Sequence, residues 1–192
     1  DRLSRVIPFE ALKMAAGVVL LSANLPLLFM GEEYGETAPF PYFVSHSDPA
    51  LVDAVRRGRR AEFASFGWED HPPDPQAEET FRSARLDPEQ RQAPGPRRHL
   101  WEFHRRLIAL RRDNPVFASS DASHLEVSRV GSRRIGCLRR WSDGEEAVIV
   151  FHAGEAAVEA PVSLPCGRWK KVLDSADEQW GGPGSTSPDA FS

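Results

Sequence analysis

The sequence predicts an α/β unit followed by an all-β domain. Three observations carry that prediction. An apolar helical stripe over residues 8–23 leads into the continuous apolar tetrapeptide Leu27–Met30. An acidic pair, Glu32-Glu33, follows almost at once. After residue 115 the helical period gives way to short alternating runs. A helix, a tight turn, a strand buried on both faces and an acidic loop make one step of a parallel sheet, whose strands are unbroken apolar runs because helices cover both faces.

Each element has a local reason. Pro8 suits a first helical turn, where a missing N–H costs nothing. Phe9, Leu12, Ala16, Val19 and Leu20 recur at helical spacing. Val18 and Leu21 lie off that stripe, so the second half of the helix is apolar nearly all round and is expected to be buried on several sides. Asn24-Leu25-Pro26 ends it, Leu27–Met30 reads as the strand, and Gly31 breaks the strand. Residues 35–48 form a loop rich in aromatics and proline, including Pro39, Phe40, Pro41, Tyr42 and Phe43. Asp48-Pro49 reads as a cap and a first-turn proline for a helix to about Phe66, with Leu51, Val52, Val55 and Phe63 on its apolar side. Arg56, Arg57, Arg59 and Arg60, interleaved with Asp53 and Glu62, read as a solvated helix face rather than an anion site. Residues 67–96, dense in proline and charge, read as a long irregular excursion. Residues 97–113 return to helix, with Leu100, Trp101, Phe103, His104, Leu107, Ile108 and Leu110 as a broad inner face, until Asn114-Pro115 stops it.

Beyond residue 116 the predicted strands are His124–Val130, Ile135–Trp141, Ala147–His152, Ala157–Leu164 and Arg168–Leu173. Gly131 centres one turn, and Ser142-Asp143-Gly144-Glu145 carries a strong hairpin signal. Trp141 and Trp169 are expected in the core, whereas Trp180, near the Gly/Pro/Ser-rich tail 181–192, fits either core or surface. The domain division is therefore 1–115 and 116–192, with the tail a loop or a truncation.

Composition narrows the function classes. A formal net charge of −4 over 192 residues lacks the basic excess of nucleic-acid binding proteins. The stretch Met14–Met30 approaches membrane-spanning length, but Ser22, Asn24 and Pro26 interrupt it, so no membrane span is expected. Cys137 and Cys166 have no metal-ligand spacing and fit a reducing, cytoplasmic compartment; no metal and no cofactor are expected. His99 and His104 lack ligand-spaced partners, and His104 is expected to be satisfied at a helix interface. The chain begins at Asp1 without Met, only a few residues before a helix, and so reads as a fragment cut inside a folded domain with no signal peptide.

The run Pro26-Leu27-Leu28-Phe29-Met30-Gly31-Glu32-Glu33-Tyr34-Gly35 resembles the eighth-strand motif of the α-amylase superfamily, glycoside hydrolase family 13. Trp101–Asn114 is similar to that family's last barrel helix, and the β-rich tail to its C-terminal domain. The resemblance implies the C-terminal part of a (β/α)8 TIM barrel, its last strand and helices, followed by an antiparallel β-sandwich-like domain. Within the superfamily, Asp1–Ser4, Pro8–Leu12, Phe29–Glu36, Ala38–His46 and Arg57–Phe63 resemble the malto-oligosyltrehalose trehalohydrolases. That likeness implies a retaining hydrolase of the α-1,4-glucosidic bond beside the terminal trehalose of malto-oligosyltrehalose, an α-glucan oligosaccharide, with release of trehalose. Such enzymes use a nucleophilic carboxylate and an acid–base carboxyl ~5–5.5 Å apart. The resemblance puts both, and a third substrate-holding carboxylate, upstream of Asp1, so that the chain alone has no catalytic residue and is inactive. Another family 13 enzyme such as a glycogen branching enzyme, or a non-catalytic carbohydrate-binding β-module, are the alternatives.

The candidate substrate-binding residues are Glu32, Glu33, Tyr34, Phe40, Tyr42 and His46. At the C-terminal end of a barrel strand, Glu32 and Glu33 face the cleft and can accept hydrogen bonds from sugar hydroxyls; otherwise they are structural acids that hold the loop. Tyr34, Phe40, Tyr42 and Phe43 suit the apolar C–H faces of glucose, with packing over the barrel mouth as the alternative. His46 either bonds a sugar hydroxyl or supports the loop, and Asp48 reads as a cap. The assignment leans on Leu27–Met30 being an interior strand. The half-barrel is expected to leave apolar surface exposed around Val18–Met30.

Overall fold

Proline and the short polar caps set where the helices begin. The computed structural model describes residues 2–67, 72–131, 134–159 and 161–191. A single helical turn, α1 (Leu3–Val6), precedes extended Pro8, which opens α2 (Phe9–Leu21). The Asp48 carboxylate accepts the Ala50 N–H at 2.8 Å and caps α3 (Pro49–Ser65). A short α4 (Glu78–Ser83) is followed by α5 (Pro96–Asp113), which starts after Gly95 at φ 107°. Asn114 ends α5 and caps α6 (Pro115–Ala118) through the Val116 N–H at 2.9 Å.

Three strands, β1 (Leu125–Arg129), β2 (Ile135–Ser142) and β3 (Glu145–His152), form an antiparallel sheet in the order β1-β2-β3. Asp143 (φ 52°) and Gly144 (φ 81°) turn β2 into β3, both left-handed as a two-residue hairpin of the matching twist requires. A separate ribbon pairs β4 (Trp169–Lys170) with β5 (Ala190–Phe191). One apolar cluster joins Ala16, Leu20 and Leu21 of α2, Phe103, Leu107 and Leu110 of α5, and Phe117 of α6. Leu28, Ala147, Ile149, Leu173 and Trp180 pack against it, so the sheet sits on the helix pair. Trp180 meets Phe103 edge-on, with ring centroids 5.6 Å apart.

Long-range polar contacts lock this packing. A helix leaves its last carbonyls without intrahelical donors. At the end of α2, Arg111 from α5 donates Nη1 to Leu20 O and Ser22 O, both at 2.8 Å, and Nη2 to Asn24 O at 2.8 Å. Arg140 from β2 donates Nη1 to Leu21 O at 2.9 Å and Ser22 O at 3.0 Å, and Nη2 to Ser119 O. Arg140 is 1% exposed and has no carboxylate partner among the described residues. Burial, with the neighbouring Arg111 charge, lowers its pKa from the ordinary arginine value. The negative end of the α2 dipole offsets part of that cost. At the other end of α2, buried Lys13 donates to Ser175 O at 2.6 Å and Trp180 O at 3.3 Å, and pairs with Glu10 at 2.9 Å.

Several expectations are corrected. Leu27–Met30 forms no strand: a parallel strand needs ladder partners from other segments, and the described strands pair among themselves. Leu28 packs on the core, but Leu27 is 92% exposed, with Phe29 and Met30 partly so. That matches the apolar exposure expected around Val18–Met30. The excursion 67–96 contains α4 and a 3-10 turn at Pro88–Gln92, each opened by a local cap or an acidic first turn. Among the described residues, 157–164 form no strand, while 168–173 keep only β4, paired with a tail that was expected to be a loop. The three-stranded antiparallel sheet is present, and α6 packs on β2 and β3.

The Arg140→Met variant is expected to lower the unfolding free energy by about 2–4 kcal/mol, because buried carbonyls lose charged donors. Arg140→Lys is expected to lose nearly as much, since an ammonium cannot span Leu21, Ser22 and Ser119 with a planar fork. Urea titrations measure both; an unchanged midpoint in either variant contradicts the clamp.

Candidate functional site

Two glycines frame the acidic turn. Gly31 (φ +87°) and Gly35 (φ +70°) bracket the 3-10 turn Glu32–Tyr34. A Cβ at Gly31 would stand 2.6 Å from the Cβ of Glu36, so position 31 requires glycine for space as well as conformation. The chain doubles back: Glu36 N donates to Gly31 O at 2.9 Å.

Glu36 is the buried centre of this turn, 2% exposed. Its Oε1 accepts the N–H groups of Thr37 (2.7 Å) and Ala38 (2.8 Å). Its Oε2 accepts the Asp87 N–H (2.9 Å) and the Tyr34 hydroxyl (3.1 Å). Burial alone would raise its pKa, but these four donors reverse the effect and hold the carboxyl below the ordinary range. The Tyr34 hydroxyl is correspondingly pushed up to about 12, by burial first and then by its bond to Glu36 and the Glu36 and Glu33 charges. Arg2, 5% exposed, closes the frame: Nε donates to Ala38 O at 2.8 Å, Nη1 to Met30 O, and the guanidinium lies 4.6 Å from the Phe29 ring centroid. Its Nη2 is buried without a hydrogen-bond partner among the described residues. Ser4 Oγ donates to Glu36 O at 2.8 Å.

A cavity of about 220 Å³ lies beneath the turn, walled by apolar residues of α2 and α5 and by Arg2, Glu32 and His104. Burial raises the Glu32 pKa; Glu33 adds to the shift, while the Phe29 backbone and Arg2 oppose it. His104 Nδ1 meets Leu100 O at 2.9 Å, and because a carbonyl can only accept, Nδ1 carries the proton. Burial lowers the His104 pKa, so the ring is a neutral, satisfied interface residue, as its position in the sequence indicates.

The outer part of the loop is an aromatic row. Phe29 and Phe40 meet edge-on at 5.4 Å, Phe40 and Phe43 at 6.2 Å, and Phe43 and Phe81 at 5.2 Å. Phe40 and Tyr42 are each about half exposed, at 50% and 47%. The Arg59 guanidinium lies 5.1 Å from the Tyr42 centroid and pairs with Glu62. The backbone of His46 is clamped by Gln76, which accepts from His46 N at 3.1 Å and donates to His46 O at 2.9 Å.

The structure thus gathers Glu32, Glu33 and Tyr34 into one turn and sets Phe40 and Tyr42 on the row beside it, with His46 farther along the loop. Tyr34, read as either a sugar-stacking ring or a loop-packing one, is 2% exposed and donates its hydroxyl to Glu36 at the floor of the turn, the packing arrangement. Glu36 and Arg2 were not among the expected site residues. Glu36 stands directly after the Gly31/Gly35 frame, but its partner Asp87 lies 51 positions away, beyond any local pattern. Arg56 bonds Asp74 at 2.7 Å on an exposed face, as a solvated helix surface predicts. Among the described residues, no group of three or more His, Cys, Asp and Glu side chains could hold a metal ion. No described helix is long and apolar enough to cross a membrane.

No family model matches the chain. A malto-oligosyltrehalose trehalohydrolase from Rhizobium sp. (strain M-11) is 39% identical over 165 residues, which cover 85% of this chain and 26% of that protein. One from Arthrobacter ramosus is 44% identical over 144 residues, covering 73% of this chain and 24% of that protein. The chain therefore spans about a quarter of the length of the curated relatives it matches. A crystal structure of a candidate α-amylase from Salmonella typhimurium superposes with a TM-score of 0.72 at 31% identity, over 90% of this chain and 30% of that one.

Gly31→Ala is expected to cost about 1–3 kcal/mol through its positive φ and the clash with Glu36. Glu36 titrates below its ordinary value of 4.5 when folded, so the unfolded chain takes up the proton first. The stability it adds is present above that ordinary value and is lost as pH falls through the folded value. Glu36→Gln is expected to cost about 1–3 kcal/mol at neutral pH and to flatten the acid limb of stability against pH. An acid limb identical to that of the parent protein contradicts this role.

Proposed function

Because the chain is a relative of the malto-oligosyltrehalose trehalohydrolases over 85% of its length, we propose that it supplies one side of the sugar cleft of a retaining glycosidase. In this reading the whole protein cleaves the α-1,4 bond beside the terminal trehalose of malto-oligosyltrehalose and releases trehalose. Residues 1–115 belong to the (β/α)8 barrel and 116–192 to a β-sandwich-like domain, in a cytoplasmic enzyme. The catalytic carboxylates lie in the three-quarters of the relatives that this chain does not match, so the chain alone is inactive.

The single observation that carries the reading is that alignment. The geometry adds chemical sense. Glu32 and Glu33 leave a turn whose shape is fixed by Gly31, Gly35 and Glu36, so carboxylates presented there are held rigidly for sugar hydroxyls. Phe40 and Tyr42 offer half-exposed rings on a braced row, suited to the C–H faces of glucosyl units. His46 lies farther along the same loop. Tyr34 serves the floor. The exposed Leu25, Leu27, Phe29 and Met30 form an apolar strip of the kind that neighbouring strands cover in a complete barrel.

A chimera tests this directly. The Rhizobium trehalohydrolase carrying this chain in place of its matching quarter is expected to release trehalose from malto-oligosyltrehalose, while the chain by itself releases none. In the chimera, Phe40→Ala and Tyr42→Ala are each expected to raise KM roughly threefold to tenfold. Glucose or maltose as the sole products would rule out the trehalohydrolase reading.

A further inference from the structure

A second cavity among the described residues lies away from the acidic turn. It encloses about 350 Å³ between α5 and the C-terminal segment, and shares no lining residue with the cavity beneath Glu32. Arg106, Lys171, Asp177, Gln179, Trp180 and Asp189 surround it. Its volume falls at the lower end of the range for small-molecule sites.

The floor is fixed before any ligand arrives. Asp174 accepts the Ala176 N–H at 2.9 Å and the hydroxyls of Ser185 (2.5 Å) and Ser187 (2.8 Å). Burial would raise its pKa, but these bonds and the Lys171 charge hold it below the ordinary range. Lys171 donates to Ser185 Oγ and Ser187 O and pairs with Asp189. Buried Lys13 holds the carbonyls of Ser175 and Trp180 from behind. Gly182 packs so closely that an added Cβ would lie 2.3 Å from Ala176 O.

With Lys171 and Asp174 committed to that scaffold, the groups left for a ligand are mixed. Arg106 has one long contact, to Val172 O at 3.4 Å, and Gln179 one, to Asp177 at 3.4 Å, so both retain donors. Asp177 and Asp189 retain acceptor capacity, and Trp180 contributes an aromatic wall. Neither sign of charge dominates the rim, which disfavours a phosphate or a metal cation. A neutral polyol matches it, because each hydroxyl both donates and accepts and the ring C–H groups suit an indole. We infer that this cleft is a second carbohydrate site, which binds one or two glucosyl units of an α-glucan apart from the acidic turn. The choice of α-glucan rests on the trehalohydrolase reading; the site itself rests on the cleft.

Calorimetric titration of the chain with maltopentaose tests the inference. Binding is expected, with Kd raised roughly fivefold to tenfold in the double variant Arg106→Ala/Gln179→Ala, whose side chains are solvent-accessible and whose fold circular dichroism can verify. Asp177→Asn is expected to weaken binding as well. Phe40→Ala/Tyr42→Ala is expected to leave the cleft component in place. No binding by the parent chain, or unchanged binding in the Arg106/Gln179 variant, overturns the second site. Binding abolished by the Phe40/Tyr42 variant alone overturns it too, while leaving the reading of the acidic turn intact.

Discussion

Carbonyls at the end of α2 meet two arginines that arrive from different parts of the chain, and the remaining architecture follows from that junction. Arg111 comes from α5 and Arg140 from β2, and both reach Ser22 O. Burying guanidinium charge without a carboxylate is ordinarily costly. Here the acceptors are carbonyls at the negative end of a helix, already oriented and short of donors. The junction therefore joins α2, α5 and the sheet while satisfying groups that would otherwise be orphaned. It also fixes the departure of residues 23–30, which lead directly to the acidic turn.

The turn uses the opposite arrangement, a buried carboxylate surrounded by donors. Glu36 gathers Thr37, Ala38, Asp87 and Tyr34 around one charge, and Arg2 draws Met30 and Ala38 together. Glu32 carries the converse electrostatics. Its raised pKa means that folding favours the neutral acid, so its ionisation subtracts from stability as pH rises through the unfolded value.

Much of this was legible locally. Asp48-Pro49, Asn114-Pro115 and Asp143-Gly144 are short-range chemical signals, and they produced the expected cap, helix end and hairpin in turn. The helical stripes of α2 and α5 pack together through Ala16, Leu20, Phe103, Leu107 and Leu110, whereas Val18, Val19 and Ile108, expected to be buried, are exposed because no described element covers that side of either helix. The failures share a cause. Leu27–Met30 has the composition of a buried strand, but strand formation depends on partners elsewhere. Residues 168–173 kept only a two-residue ribbon, because its partner sits in a Gly/Ser-rich tail with no strand pattern. Arg111 and Arg140 look like ordinary surface charges in their own elements; their joining role comes from carbonyls at the end of α2, 87 to 119 positions away. Glu36 escaped notice for the same reason, since Asp87 completes its site.

Native-state hydrogen exchange on the chain tests the central junction most directly. If the arginine clamp unites the helix pair with the sheet, the slowest amides of α2, α5 and β2 open with one common free energy and a common denaturant dependence. If β2 instead exchanges through its own low-energy opening while α2 and α5 stay protected, the clamp does not unite them, and the platform proposed to hold the acidic turn is not a single cooperative unit.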